Sequence, residues 1–414
     1  MEKITQMLDL SIIASIILAA IILVLGYSYF VSNSKVLATA TTPSTTIATT
    51  STTISTTTST TIAYTTSPTA SSAETSSVPH LLATIPVGNS PIAAVYNPSN
   101  GYIYIANWLS DFVSVISGTS VIANVTVVNN PDSVTYDPGN DYIYVLNDGS
   151  YSPGSPGNTI SVISGTSVIA TIPEEYNPSS AVYDPRNGYI YILNTPIDQV
   201  SIISGMSMIA NVTIFLCYRN GFCEGSFPES AVYDPSNGYI YVTDFGNNVS
   251  VISGTSVIAN IKVGSLPNSA VYDPSNGYIY VLNYNSSTVS VISGTSVISN
   301  ITVGEHPTNA TYNPSNEYVY VLNEGSSTVS VISGTSMIAN ITVKGGPTAA
   351  IYDPSNKYVY VVNYNSSTVS VISGLSVIAN VSIGEYLFPL HAIYDPGNKY
   401  VYVLNKNTVS IISS

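Results

Sequence analysis

The chain has 414 residues, of which 8% are charged, against roughly 25% in an ordinary soluble domain, and its formal net charge is −14. With nine Lys and Arg in all and no basic cluster, it cannot neutralise a phosphate backbone, which excludes nucleic acid as a partner. The stretch from 80 to 414 is ample for a buried core.

Residues 1–9 form a short tail, and 10–31 then run without a charge. As a helix that run is long enough to cross a hydrocarbon core of about 30 Å. A cleaved signal has an apolar run of only about 7–15 residues, so the reading is a retained transmembrane anchor, with Ala38-Thr-Ala40 as the competing cleavage signal. Residues 32–79 read as a Ser/Thr-rich stalk, and 38–79 alone hold 27 Ser and Thr in 42 positions, with Pro43, Pro68 and Pro79. That composition cannot bury a core and matches either an O-glycosylated stalk or a bare flexible linker. The expected placement is single-pass in the cell membrane, with the remainder outside the cytoplasm at the cell surface.

From residue 80 onward one unit repeats. Tyr-Asp/Asn-Pro recurs at Tyr96, Tyr136, Tyr183, Tyr233, Tyr272, Tyr312, Tyr352 and Tyr394, in steps of 40, 47, 50, 39, 40, 40 and 42 residues. A fixed period near 40 with β-branched and aromatic runs inside it marks stacked supersecondary units. In the unit beginning at Pro267 four strands are expected, at 269–272, 278–282, 288–292 and 297–303. Asp273-Pro-Ser-Asn-Gly277 reverses the chain after the first strand, and Ser293-Gly-Thr-Ser296 makes a tight hairpin after the third. Four antiparallel strands per period is one propeller blade. The second strand is apolar on both faces, as a strand between two neighbouring blades must be, whereas Ile298, Asn300 and Thr302 give the fourth a wetter face.

Residues 80–88 match a fourth strand, and the chain stops after a third strand. The expected fold is therefore all-β, an eight-bladed propeller over residues 80–414 whose last blade is completed by residues 81–87, removing two sheet edges.

The second strands end in Tyr-x-x-Asn, as in Tyr104–Asn107, Tyr144–Asn147, Tyr280–Asn283 and Tyr402–Asn405. With TVSVIS and VIANITVG downstream, residues 80–414 resemble the YVTN family of β-propeller repeats, which is common in surface-layer-type and other exported proteins. The chain departs from that family's pattern at the Thr, which only Thr243 keeps, and at Asp244, which replaces the Asn. The family's usual blade count is seven.

Smaller features follow from export. Cys217 and Cys223 lie in one long insertion and are expected to pair as a local disulfide. Asn-x-Ser/Thr sequons, possible N-glycosylation sites, occur at Asn124, Asn211, Asn248, Asn285, Asn300, Asn309, Asn340, Asn365 and Asn380. The six turn aspartates after the repeat tyrosine read as Asx-turn acceptors, with a shared cation site as the alternative.

In a propeller the loops joining strands four to one and two to three share one face. The insertions at 147–158, 213–229 and 384–390 are all of these kinds, and repeat proteins place such insertions on the binding face. Trp108, Tyr151, Tyr218, Phe222, Phe227, Phe245, Tyr284, Tyr364 and His391 are its candidate binding residues, with Phe215 and Phe388 beside them. Exposed aromatics suit sugar stacking or protein anchoring; the plainer alternative is that they pin their own loops. No HExxH, GxSxG, phosphate loop or Cys-x-x-Cys motif appears. No catalytic residue, metal site or cofactor is implied. The expected function is non-enzymatic, adhesion or assembly at the envelope through a protein or surface glycan. The alternative is an exported propeller enzyme or redox protein with a bound cofactor or metal.

Overall fold

The structure is a computed structural model that describes residues 78–149, 158–195, 197–214, 216–217, 223–224 and 227–413. The anchor, the stalk, Tyr151, Phe215, Tyr218 and Phe222 lie outside the described residues.

The described residues form eight four-stranded antiparallel sheets and one two-stranded hairpin, Leu216–Cys217 with Cys223–Glu224. Blades 1 to 7 cover residues 91–126, 131–173, 178–213, 228–262, 267–302, 307–342 and 347–382. Blade 8 takes three strands from 391–413 and its outermost from the N-terminal strand His80–Pro86, which pairs antiparallel with Thr408–Ser413. The expected closure is present, shifted by one residue. His80 and Ser413 clasp its end, with the serine Oγ 2.9 Å from the ring Nδ1.

Blade 5 shows how the repeat folds. Its strands are Pro267–Asp273, Tyr278–Asn283, Thr288–Ser293 and Ser296–Thr302. The first is longer than the residue pattern suggests because Pro267 pairs with Asn283 through a bulge before Ser269. A bulge accommodates a residue without an N–H at the start of a strand. The tight turn after the third strand needs Gly294, whose φ of 57° lies in the left-handed region.

Blades are glued by apolar layers rather than by one central core. Tyr280, Leu282, Val289, Val291 and Ile301 of blade 5 pack on Val319, Val321 and Ile332 of blade 6. The layer between blades 8 and 1 is built alike, from Tyr402, Leu404 and Val409 against Ile103 and Ile105. Each layer buries several aliphatic side chains, worth roughly 1.5–3 kcal/mol apiece before entropy.

A directional bond crosses seven of the eight layers. Tyr280 in blade 5 donates its hydroxyl to the carbonyl of Gly334 in the third-to-fourth-strand turn of blade 6, at 2.8 Å, and receives Asn276 Nδ2 at 3.2 Å. The same bond joins Tyr104 to Gly165, Tyr144 to Gly205, Tyr191 to Gly254, Tyr241 to Gly294 and Tyr320 to Gly374. Tyr402 closes the ring onto Gly118. Tyr360 of blade 7 is the exception, because blade 8 is closed by the N-terminal strand and has no such turn; it keeps Asn356 Nδ2 at 2.9 Å.

Candidate functional site

The two faces of the ring are chemically unlike. On the turn face, an Asp or Asn ends each first strand and its Oδ1 accepts the backbone N–H two residues on, at 2.8–2.9 Å in all eight blades. Asp273 also accepts Ser275 Oγ at 2.6 Å and Asn276 Nδ2 at 2.7 Å. The repeat tyrosine of the following blade brings its hydroxyl to this carboxylate: Tyr183 to Asp137, Tyr312 to Asp273 and Tyr96 to Asp395. Burial, and then the Asp137 charge, push Tyr183 up to about 12. The aspartates are thus Asx-turn acceptors and inter-blade contacts, the first of the two readings the residues allowed.

Beneath the loop face five of the eight blades carry a polar relay. Asn283 Nδ2 donates to Ser290 Oγ at 3.0 Å, and Ser290 donates to Asn300 Oδ1 at 2.7 Å, across three strands. The relay recurs from Asn107 through Ser114 to Asn124, and from Asn194, Asn323 and Asn363 through Ser201, Ser330 and Ser370 to Asn211, Asn340 and Asn380. Gly304 packs so closely on Asn323 that a Cβ there would lie 2.7 Å from the asparagine Cβ, which explains a glycine after that fourth strand.

Blade 4 breaks the relay. Asp244 takes the asparagine's place, is fully buried, and neither of its oxygens has a well-formed hydrogen bond. Burial raises it to about 7, against a partial downward pull from the amides of Gly246 and Asn248, with Asp198 adding to the rise. Blade 4 and the blades before it hold further acids on this face. Asp132 is raised to about 7 by burial and then by Asp148, itself raised by burial to about 6. Burial raises Glu229 to about 7 and Glu174 upward. Asp132 and Glu229 both occupy the bulge after the first-strand proline, between Pro131 and Ser133 and between Pro228 and Ser230. Blades 2 to 4 therefore hold buried and half-buried carboxyls, of which Asp132, Glu229 and Asp244 can donate or accept a hydrogen bond near neutrality. Among the described residues no three His, Cys, Asp or Glu converge as a metal site.

The loops above these acids dock in pairs. In most blades the loop between the second and third strands donates a backbone N–H to the loop that enters that blade: Trp108 to Ser90, Phe245 to Phe227, Tyr284 to Leu266 and Tyr364 to Gly346. Trp108, Phe227 and Phe245 stand 36–39% exposed. Tyr284 and Tyr364 do not stand free. Tyr284 stacks on His306 at 4.6 Å between ring centroids, and Tyr364 packs on Phe388 at 5.3 Å. Those two candidates fasten their blade to the next loop. His391 is corrected as well: it opens a strand rather than a loop, burial holds its imidazole below the usual range, and its Nδ1 has no partner. The residue is half-buried, so it is a weaker surface anchor than the exposed aromatics.

Two exposed residues escaped the sequence reading, Leu109 at 58% and Tyr386 at 79%. Tyr386 lies in the loop that lengthens the last step of the repeat, which was the available signal. With Asn365, Ser366, Glu385 and Phe388 it lines an open groove of about 300 Å³. The insertion hairpin places Cys217 opposite Cys223 in its ladder. Facing antiparallel residues have Cα atoms about 4.5–5.5 Å apart, inside the range a disulfide spans.

No protein-family model matches the chain, and no curated protein matches it. Solved structures do. The C-terminal WD40 domain of Sif2 aligns over 81% of this chain and 99% of its own, with a TM-score of 0.64 and 9% identity. Dihydro-heme d1 dehydrogenase NirN aligns over 75% and 74%, at 0.62 and 11%. Virginiamycin B lyase from Staphylococcus aureus aligns over 69% and 94%, at 0.54 and 13%. The chain shares the propeller fold with a WD40 domain, a dehydrogenase and a lyase alike; identity this low carries the fold and no chemistry.

Proposed function

We propose that the chain is a non-enzymatic cell-surface or envelope propeller of the YVTN type. It is held to the membrane by residues 10–31, and its loop face binds a protein or a surface glycan in adhesion or assembly. The observation that carries this reading is the contrast between the faces. The turn face spends its aspartates on its own backbone and on the next blade. The loop face bears the insertions, the exposed Trp108, Leu109, Phe227, Phe245 and Tyr386, and carboxyls with unused hydrogen-bonding capacity. Exposed aromatics beside polar groups favour sugar rings and protein hot spots alike.

The test is binding of the purified protein to envelope preparations and a glycan array. Combined Trp108→Ala, Phe227→Ala, Phe245→Ala and Tyr386→Ala is expected to weaken binding at least about thirtyfold, since hot-spot truncations cost about 2 kcal/mol or more. Thr255→Ala and Thr295→Ala, exposed in turns on the other face, are expected to leave binding unchanged. Equal binding by both sets overturns the reading.

A specific observation supports the second reading, an enzyme. Asp132 and Asp148 interact electrostatically and both titrate near neutrality, and paired carboxyls of that kind serve acid–base chemistry. A stoichiometric cofactor or metal in protein purified from its source would put that reading first.

A further inference from the structure

The outermost strands alternate between packed and exposed positions, apart from three exposed residues in a row at the start of those of blades 2 and 6, and their exposed side carries an apolar residue. Ile122, Ile209, Ile298, Ile338 and Ile378 are 43–48% exposed, each at the third position of its strand. A strand that is both an open edge and apolar on its outer side is an aggregation hazard unless something covers it.

Two residues further on, on the same side of the strand, lies an asparagine: Asn124, Asn211, Asn300, Asn340 and Asn380. Each is exposed, as is the hydroxyl residue two positions beyond it, Thr126, Thr213, Thr302, Thr342 and Ser382. The asparagine Oδ1 accepts the hydroxyl of a buried serine at 2.7–3.3 Å. The relay therefore holds the amide by its oxygen and leaves Nδ2 toward solvent. Two of the other sequons are unlike these, while Asn285 and Asn365 are exposed in the loops between the second and third strands of their blades. Asn248 is buried, and its Nδ2 donates to the Gly246 carbonyl at 2.6 Å. Asn309 is half-buried on an innermost strand.

We propose that Asn124, Asn211, Asn300, Asn340 and Asn380 carry N-linked glycans whose first sugar covers the isoleucine two residues earlier, so that the rim of those five blades is coated. In the modification Nδ2 attacks the anomeric carbon of a sugar carried on a lipid-linked phosphate. The C–N bond forms, the C–O bond to phosphate breaks, and Nδ2 loses one proton. Oδ1 is untouched, so its hydrogen bond from the buried serine survives the reaction. The inference rests on the reading that the propeller lies outside the cytoplasm.

The experiment uses the full chain from its source cells, with glycopeptide mass spectrometry and membrane-impermeant labelling of intact cells. The expected result is sugar mass on the peptides of the five rim asparagines, none on those of Asn248 and Asn309, and surface labelling. A labelled chain with bare rim asparagines, or with sugar on Asn248 or Asn309 instead, overturns the proposal and leaves the surface reading standing. A chain protected inside the cell overturns both. Thr126→Ala, Thr213→Ala, Thr302→Ala, Thr342→Ala and Ser382→Ala together destroy the sequons and keep the relay, so the fold is preserved. That variant is expected to lose the sugar mass and to bind an apolar dye severalfold more strongly, and Ile→Ser at the five isoleucines is expected to reverse the dye binding. Dye binding that is unchanged when the sugar is lost overturns the covering role.

Discussion

Asp273 on the turn face and Asp244 on the loop face are both fully buried carboxyls at the ends of strands, yet they live by opposite rules. Asp273 accepts a backbone N–H, a serine hydroxyl and an asparagine amide. Asp244 has no well-formed partner, and burial keeps it protonated up to about neutrality. The difference teaches where this repeat can vary. Turns within a blade that also bond to its neighbour must keep their donors and acceptors matched, whereas the opposite ends of the same strands tolerate long insertions and misfit acids. A face that carries costs with no structural return is where function is to be sought.

The comparison can be broken at four points. The largest effect is expected from Asp273→Ala. It strips three well-formed hydrogen bonds and leaves buried donors unpaired, a loss of about 3 kcal/mol, read as a melting temperature about 4 °C lower. An unchanged melting temperature would show that the turn face is not structural.

The second test uses pH. Asp132, Asp148, Glu229 and Asp244 titrate in the fold near 6 to 7, whereas free carboxyls titrate near 4. Between about pH 4 and pH 7 the folded chain therefore binds more protons than the unfolded one, so stability falls as pH rises through that window. Thermal melts are expected to be higher at pH 5 than at pH 7.5. Asp244→Asn, which restores the amide found in the other seven blades, is expected to raise the pH 7.5 value by a few degrees and to flatten the profile.

A smaller effect distinguishes the ordinary layers from the seam. Tyr280→Phe removes the donor to Gly334 and is expected to cost about 1 kcal/mol. Tyr360→Phe, at the layer without a glycine turn, is expected to cost less than half of that in denaturant titrations. Equal costs would mean that the seam is bonded as the other layers are. The smallest effect is expected from Cys217→Ser with Cys223→Ser. The cross-link we propose there closes only a short hairpin outside the blades, so melting should be unchanged, while alkylation of the native, unreduced chain should find no free thiol.

The blade count, the closing strand and the two unlike faces were legible because each repeats with the 40-residue period. The candidate site was legible only by address. That Tyr284 leans on His306 depends on the pairing of two loops 22 residues apart, which no local pattern encodes. Asp132 and Asp148 meet because a bulge and a strand end coincide in space. The substitution at Asp244 stood out against Tyr-x-x-Asn, but its consequence did not, because the asparagine's task is set by Ser290 and its equivalents on another strand.

The N-terminal strand begins on the turn side of the ring, where His80 meets Ser413, and runs toward the loop side. A load entering through the segment before Val78 while a partner holds the loop face would pull along this strand. The hydrogen bonds between His80–Pro86 and Thr408–Ser413 would then be sheared together rather than unzipped one by one. Such geometry makes the closing strand a mechanical fastener whose lifetime under tension is set by an unfolding rate. Pulling at His80 and Ser413, which lie side by side, would instead peel the same strand open.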